Sequence, residues 1–247
     1  MDLESFKNSG TYVSIILPTY NEAENVERLI KDTVSVLNAS KFEAEIIVVD
    51  DNSQDGTAEI VRGMGKGYGN VFLVSNPSKQ GIGKAYQRGV KESRGAIVVT
   101  MDADLSHSPD YIPAMVNQIE EGAGISVGSR YVPKGKIIGW GAYRKFMSCA
   151  ANASARALLG LGTMDITSGY RAYSRSALKK IGFADIKVTG YSFLTESLYN
   201  AEKAGLKVSE TPITFVDRNK GKSKLGLKEQ LNFLSTLARL FLHSSIG

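Results

Sequence analysis

The chain has 247 residues, of which 43% are hydrophobic and 22% are charged, so wholesale disorder is excluded and one sizeable α/β domain is expected. The formal net charge of +5 favours anionic partners. The basic residues come without an aromatic RNA-binding signature or a helix-turn-helix pattern, so nucleic acid is not expected as a partner.

Compartment signals point to the cytoplasm. Cys149 is the only cysteine, so no intrachain disulfide can form, and a reducing compartment fits. The first residues, Met1 to Ser5, are acidic and are not followed by the apolar core of a signal peptide. No run of about 18 apolar residues occurs, so no transmembrane helix is predicted. We therefore expect a cytoplasmic protein whose contact with the cytoplasmic face of a membrane is peripheral.

The first half of the chain alternates strands with helices. Short β-branched runs at 12–17 and 45–49 predict buried strands, and apolar residues at helical spacing from Val26 to Leu37 predict a helix between them. The pattern continues with a helix near 54–64, a strand at 71–74, a helix near 83–92, a strand at 96–101, a helix around 111–121 and a strand at 124–127. This alternation predicts a mostly parallel sheet with right-handed crossovers.

After about residue 130 the pattern changes. The sequence predicts a loop at 133–141, a long helix at 142–159, an ordered segment at 166–173, a helix near 193–204, a strand at 212–215 and a C-terminal helix from about 226. The loop mixes lysines with Trp140, a composition that suits either a bilayer interface or an active-site lid.

The C-terminal helix is amphipathic. One stripe carries Leu227, Leu231, Leu234, Ala238 and Phe241. Such a stripe usually docks a surface helix on the core, which is what we expect here. A membrane anchor is the alternative.

Two aspartates end the predicted strand at 96–101. Asp102 and Asp104 are spaced i, i+2, which in a strand puts both carboxylates on one side. The carboxyl end of a strand is where ligands bind in α/β sheets. Two hard oxygen ligands there indicate a divalent cation and a phosphorylated substrate.

Other enzyme classes fit this pattern less well. The first strand is not followed by the glycine pattern of dinucleotide-binding domains, and the Gly83-Lys84 pair lacks the remaining residues of a P-loop. Phosphatases of the haloacid dehalogenase type also use Asp-x-Asp, but their nucleophilic Asp normally closes the first strand of the core. That phosphatase and a non-catalytic nucleotide-sugar-binding subunit stay open as alternatives.

Several segments in order resemble a known family. Residues 17–22 (LPTYNE), 49–57 (VDDNSQDGT), 101–107 (MDADLSH) and 128–131 (GSRY) resemble the inverting family 2 glycosyltransferases with the GT-A fold. Residues 165–171 (DITSGYR) and 215–225 (FVDRNKGKSKL) look like the dolichol-phosphate, or polyprenyl-phosphate, mannosyltransferases within it.

The resemblance implies a fold and a division of the chain. The fold would be an α/β GT-A, or nucleotide-diphospho-sugar transferase, fold with a mostly parallel central sheet flanked by helices. Residues 1–247 would form a single glycosyltransferase domain. Within it, about 12–130 would bind the nucleotide sugar, about 131–225 would bind the acceptor, and about 226–243 would form the amphipathic helix.

The resemblance also assigns site residues. The donor nucleotide sugar would be bound by Pro18, Tyr20, Glu22, Val49, Asp51, Asp102, Ala103, Asp104, Arg218 and Lys224. A cofactor ion, Mg²⁺ or Mn²⁺, would be held by Asp102, Asp104 and Ser106. Arg130 and Arg144 would bind the acceptor phosphate and, with Asp104, are the residues implied to be catalytic.

The implied reaction is transfer of mannose from GDP-mannose to dolichyl or polyprenyl phosphate with inversion, and UDP-glucose is the alternative donor. A phosphate monoester has a second pKa of about 6, so near neutral pH it needs positive charge and orientation more than a base. Guanidinium groups supply both. Some relatives are recruited by a membrane-spanning partner subunit, and the resemblance leaves such a partner open here.

Overall fold

The computed structural model describes residues 12–40, 42–188, 190–217 and 227–244, which contain a seven-stranded sheet, a two-stranded ribbon and helices around them. The strands are β1 Val13–Thr19, β2 Ala44–Asp50, β3 Val71–Ser75, β4 Ile97–Thr100, β5 Ile125–Ser129, β6 Lys136–Ile138, β7 Arg171–Ser174, β8 Val208–Pro212 and β9 Thr214–Val216. The α-helices are α1 Ala23–Ala39, α2 Thr57–Tyr68, α3 Ile82–Glu92, α4 Ile112–Glu120, α5 Ala142–Leu159, α6 Arg175–Lys180, α7 Tyr191–Lys203 and α8 Leu227–Ser244.

The large sheet has the strand order β3-β2-β1-β4-β7-β5-β8. Neighbouring strands are parallel except at β7, which runs antiparallel to both β4 and β5. The predicted α/β fold with a mostly parallel sheet is confirmed. As a result, the carboxyl ends of β1, β2, β4 and β5 meet the start of β7 at one edge of the sheet, where a ligand site is expected.

Helices cover both faces of this sheet and create two hydrophobic cores. Successive side chains of β1 point to opposite faces, so Ile15 joins the core beside α1, α2 and α4, and Ile16 joins the core beside α3 and α5 to α8. Strands that are buried on both faces are expected to be apolar at successive positions, which explains the continuous runs in the sequence.

Short strands were not predicted from the sequence. The predicted loop at 133–141 contains β6, which pairs in parallel with β9, and the single strand predicted at 212–215 is split between β8 and β9. The helix α6 was also missed. Three-residue strands show too little alternation to be recognised, and the partners of this ribbon lie far apart in the chain.

The C-terminal helix was predicted correctly, but the prediction of which of its stripes faces the core was wrong. Helix α8 packs on the core through Phe233, Leu237 and Leu240, whereas Leu231 and Leu234 of the predicted stripe are exposed. Both sets have helical spacing, and spacing alone does not say which of two apolar stripes faces the protein. None of the helices within the described ranges is long and apolar enough to cross a bilayer.

Candidate active site

The loops after β1 and β2 are joined by hydrogen bonds at the carboxyl edge of the sheet. The backbone N–H of Asn21 donates to Ser53 Oγ at 2.9 Å, and that of Glu22 donates to Thr57 Oγ1 at 3.0 Å. Asp55 accepts from the N–H of Ala23 at 2.9 Å. Burial pushes the pKa of Asp55 upward, but hydrogen bonds from Thr57 and Ala23 outweigh it and leave the pKa below its ordinary value. These contacts hold together the two loops of the predicted donor site.

Asp51 orders the segment that leads into α3. Its carboxylate accepts from Asn76 Nδ2 at 3.0 Å and from the N–H groups of Gln80 and Gly81 at 2.8 and 2.7 Å. Gly81 has a φ of 89°, a conformation that glycine adopts without strain. Asp51 is therefore a buried acceptor between the loops after β2 and β3.

The other predicted base and ribose contacts lie on the same two loops. Pro18 and Tyr20 are half-buried at the end of β1, and Lys79 Nζ lies 3.6 Å from the centre of the Tyr20 ring. Glu22 accepts from Asn25 at the start of α1. Val49 is fully buried in the core. Ligand contacts of all four residues stay predictions.

The Asp-x-Asp segment forms a tight turn after β4. Asp104 Oδ1 accepts from both the N–H and the hydroxyl of Ser106, at 3.1 and 2.5 Å. Between them, Leu105 has a φ of 63°, which is rare for a side chain of this kind and clusters at functional sites. Ser106 and Ala103 are buried. The turn fixes the orientation of the Asp104 carboxylate.

Tyr86 is a residue at this site that was not predicted from the sequence. It is fully buried on α3, and its hydroxyl donates to Asp102 Oδ1 at 2.9 Å. Burial and the neighbouring Asp102 raise the pKa of Tyr86 well above its ordinary value, so it stays a proton donor. The sequence did contain a signal for Tyr86: a tyrosine in the buried stripe of a helix needs a hydrogen-bond partner for its hydroxyl.

The donor set fits a cation that is shared with a diphosphate. Among the described residues, no three His, Cys, Asp or Glu side chains come together to form a complete protein-only metal site. Mg²⁺ is typically bound through one or two carboxylates together with substrate phosphates, and carboxylate ligands also suit Mn²⁺. Asp102 and Asp104 match this type of site. The Ser106 hydroxyl donates a hydrogen bond to Asp104 in this structure, and its role as a metal ligand stays a prediction.

On the predicted acceptor side, Arg130 is held by a buried carboxylate. Its Nε donates to Asp165 Oδ2 and its Nη2 donates to Oδ1, both at 2.7 Å, in a two-pronged contact. The same Nη2 donates to Thr167 Oγ1 at 2.8 Å. Glu210 in turn accepts from the N–H of Asp165 at 3.1 Å. Asp165 thus holds the Arg130 guanidinium in place.

Arg144 lies close to an aromatic ring that Arg130 also approaches. Its guanidinium is 4.1 Å from the centre of the Trp140 ring, and that of Arg130 is 5.4 Å from the same ring. Arg144 Nη1 donates to both carboxylate oxygens of Asp217 at 2.9 Å. The structure thus brings together the two arginines that the sequence predicted. Arg218 and Lys224, predicted for the donor, lie outside the described residues.

Trp140 is buried and belongs to an aromatic cluster, and contact of its loop with a bilayer stays a prediction. It packs edge-on against Phe215 at 5.3 Å, and Phe215 packs against His107 at 5.3 Å. Burial lowers the pKa of His107, which keeps the imidazole neutral near pH 7.

Two buried donors on this side have no hydrogen-bond partner among the described residues. They are Trp140 Nε1 and Arg144 Nε. A buried unpaired N–H costs about 1–3 kcal/mol, and in folded proteins such a group often marks a place where a water molecule or an ion binds. Trp140 Nε1 and Arg144 Nε are therefore N–H groups that can donate to a water molecule or an anion.

Comparison with known proteins identifies the family. The model of glycosyl transferase family 2 matches residues 14–182, more than half of the chain. This chain belongs to glycosyltransferase family 2. It is 38% identical over 215 residues to the polyprenol monophosphomannose synthase of Mycolicibacterium smegmatis, covering 85% of this chain and 80% of the relative. It is 36% identical over 216 residues to the undecaprenyl-phosphate mannosyltransferase of Micrococcus luteus, covering 86% and 87%. The resemblance to polyprenyl-phosphate mannosyltransferases is confirmed.

Solved structures confirm the GT-A fold of this family 2 enzyme. The glucosyl-3-phosphoglycerate synthase of Mycobacterium tuberculosis, in complex with Mn²⁺, UDP and glucosyl-3-phosphoglycerate, aligns with a TM-score of 0.70 at 22% identity, covering 94% of this chain and 80% of the other. At that identity the likeness shows the fold alone. Family membership makes the chain a glycosyltransferase, which decides against the phosphatase and the non-catalytic subunit.

Proposed function

We propose that this enzyme transfers mannose from GDP-mannose to a polyprenyl phosphate such as dolichyl phosphate, giving a β-linked lipid mannosyl phosphate and GDP. One observation carries the proposal: two guanidinium groups lie close to the Trp140 ring, and the buried N–H groups of Arg144 and Trp140 have no partner among the described residues. The names of the two mannosyl-transferring relatives support the same chemistry.

The reaction is a single in-line displacement. A phosphate oxygen of the acceptor attacks the anomeric carbon of mannose and forms the new C–O bond. The bond from that carbon to the diphosphate breaks, and its electron pair leaves with GDP. Attack opposite the leaving group converts the α-linked donor into a β-linked product.

Charge and orientation are the contributions that we assign to Arg130 and Arg144. The acceptor phosphate has a second pKa of about 6, so at neutral pH it is already a dianion and no side chain needs to take its proton. The neutral His107 is not required as a base under this mechanism. The transfer rate is expected to fall as the pH drops below about 6, because the nucleophile then becomes protonated.

On the donor side, we assign the base and ribose to the loops of Pro18, Tyr20, Glu22 and Asp51, with Val49 beneath them. Asp102 and Ala103 would contact the nucleotide. Asp104, with Asp102 and Ser106, would hold Mg²⁺ or Mn²⁺, which supplies a Lewis acid that neutralises the departing diphosphate. Arg218 and Lys224 stay predicted diphosphate contacts.

The acceptor's polyprenyl chain implies that the enzyme works at a membrane surface. We propose peripheral contact with the cytoplasmic face. A membrane-spanning partner subunit stays an expectation drawn from the resemblance.

A transfer assay tests the proposal. Purified enzyme is incubated with polyprenyl phosphate, Mg²⁺ or Mn²⁺, and a panel of labelled nucleotide sugars that includes GDP-mannose and UDP-glucose. We expect lipid-linked product from GDP-mannose, and about a thousandfold lower rate in Asp104→Ala, since ligand loss removes several kcal/mol of transition-state stabilisation. Transfer from UDP-glucose alone would replace the proposed donor. Absence of lipid-linked product with every donor would overturn the proposal.

A further inference from the structure

Helix α8 carries two apolar stripes, and only one of them packs on the protein. Phe233, Leu237 and Leu240 are buried in the core, whereas Leu231 and Leu234 are 65% and 58% exposed. At about 100° per residue, the exposed stripe covers roughly a third of the helix circumference and continues through two more exposed residues, Phe241 and Leu242. A surface helix normally presents charged or polar residues there, so this stripe is unexplained by the fold.

Helix α5, which packs against α8, has an exposed apolar stripe of its own. Tyr143 and Phe146 in its first turns are 77% and 67% exposed, and Met147 and Leu158 are exposed as well. Of the twelve large apolar side chains exposed in the described part of the chain, eight lie on these two helices. Concentrated apolar exposure of this kind marks an interaction surface.

We propose that these two stripes form one surface, the α5–α8 face, which binds the lipid bilayer that carries the acceptor. The α5–α8 face consists of Tyr143, Phe146, Met147, Leu158, Leu231, Leu234, Phe241 and Leu242. This inference rests on the proposed function for the nature of the acceptor, and it adds which side of the enzyme binds the membrane.

The position of Arg144 favours a bilayer over a protein partner. Arg144 lies between Tyr143 and Phe146 in the first turns of α5. An acceptor whose phosphate is bound by Arg144 keeps its polyprenyl chain in the hydrocarbon, so the surface around this arginine has to lie against lipid. A second copy of the chain seated on this face would cover the approach of the acceptor.

Charge and helix length agree with this orientation. Helix α5 contains Arg144, Lys145 and Arg156 and no acidic residue, which favours anionic head groups. Helices α5 and α8 have 18 residues each, or about 27 Å, long enough to bind along the interface with their apolar stripes in the acyl boundary.

Vesicle sedimentation of the full chain tests the inference. We expect binding to vesicles of phosphatidylcholine with phosphatidylglycerol, and weaker binding to phosphatidylcholine alone. Leu231→Ser with Leu234→Ser should weaken binding at least about tenfold, because two leucines lose their burial in lipid. Phe146→Ser with Met147→Ser should do the same.

The matched control changes exposed aromatic residues elsewhere. Tyr68 on α2 and Phe72 on β3 are exposed to a lesser degree, and Tyr68→Ser with Phe72→Ser should leave vesicle binding unchanged. Thermal unfolding verifies that each variant is folded. The inference is overturned if the wild-type chain does not sediment with vesicles, if the control loses as much binding as the α8 variant, or if the α8 variant instead dissolves a concentration-dependent dimer.

A second assay separates this inference from the proposed function. With a short-chain polyprenyl phosphate dissolved in detergent, the Leu231→Ser, Leu234→Ser variant should transfer sugar at the wild-type rate, and with a long-chain acceptor in vesicles it should be at least about tenfold slower. Equal loss with both acceptors contradicts the membrane role. If the wild type transfers to neither acceptor while vesicle binding still depends on α8, the proposed function fails and the membrane surface stands.

Discussion

Asp104 on the predicted donor side and the two arginines on the predicted acceptor side are held in different ways. On the donor side, Asp104 is bound by Ser106, two residues later in the chain. On the acceptor side, Arg130 is bound by Asp165 and Arg144 by Asp217, across separations of 35 and 73 residues. A local turn orients Asp104, whereas ion pairs between distant segments orient the two arginines.

This difference has consequences for stability and for binding. A carboxylate held by a turn can be removed at little cost to the rest of the fold. An arginine held by a buried carboxylate cannot lose that partner without leaving a charge unpaired in the interior. Residues on the predicted acceptor side are therefore expected to contribute both to the reaction and to the stability of the fold. The following predictions test this difference between Asp104 and the arginines.

The largest effect is expected for Asp165→Asn. This change leaves the buried Arg130 without its counter-charge, so the free energy of unfolding should fall by about 3–5 kcal/mol. Urea denaturation followed by circular dichroism measures it. Asp217→Asn is the control, because the pair of Asp217 with Arg144 is more exposed and should contribute only about 0–1 kcal/mol. Equal losses of unfolding free energy in the two variants would contradict the expected difference between the buried and the exposed ion pair.

A change in acceptor binding is expected for Arg144→Lys. A lysine cannot reproduce the contact of the guanidinium with the Trp140 ring, so the KM for polyprenyl phosphate should rise about tenfold while the KM for the nucleotide sugar stays unchanged. Steady-state kinetics with each substrate varied in turn measures both values. Arg156→Lys on the same helix serves as the control. A rise in the KM for the nucleotide sugar alone would show that Arg144 does not act on the acceptor.

A donor-side effect is expected for Tyr86→Phe. The variant keeps the buried ring and loses the hydrogen bond to Asp102, so the Kd of GDP in the presence of Mn²⁺ should rise about fivefold, equivalent to about 1 kcal/mol. Isothermal titration calorimetry measures it, and Tyr173→Phe, at another fully buried tyrosine, is the matched control. Unchanged GDP affinity would show that Tyr86 only fills space.

The smallest effect concerns pH and stability. Burial lowers the pKa of His107 in the folded protein, so the unfolded chain binds the proton more readily. Stability should therefore be complete above about pH 6.5 and fall below it, by at most about 1.4 kcal/mol per pH unit. Denaturation at pH 5 and pH 7 measures the difference, which His107→Gln should reduce. A wild type that is more stable at pH 5 would contradict the assignment.

The same contrast explains what the sequence could predict. Buried strands such as β1 and β2 are continuous apolar runs, and their ends carry the motifs of the donor loops. Both the sheet and the donor edge could therefore be predicted from the sequence. The partners of Arg130 and Arg144 were not, because ion pairs across 35 and 73 residues leave no local pattern. The outward stripe of α8 was misassigned for a related reason: periodicity defines a stripe but does not say what covers it.

The configuration of the product tests the central claim most directly. The proposed mechanism predicts one displacement at the anomeric carbon by the acceptor phosphate, oriented by Arg130 and Arg144, with no covalent enzyme intermediate. Product made from α-linked GDP-mannose is isolated, and the one-bond carbon–proton coupling at its anomeric centre is measured by NMR. A β-linked mannosyl phosphate is the predicted result. An α-linked product would contradict the mechanism.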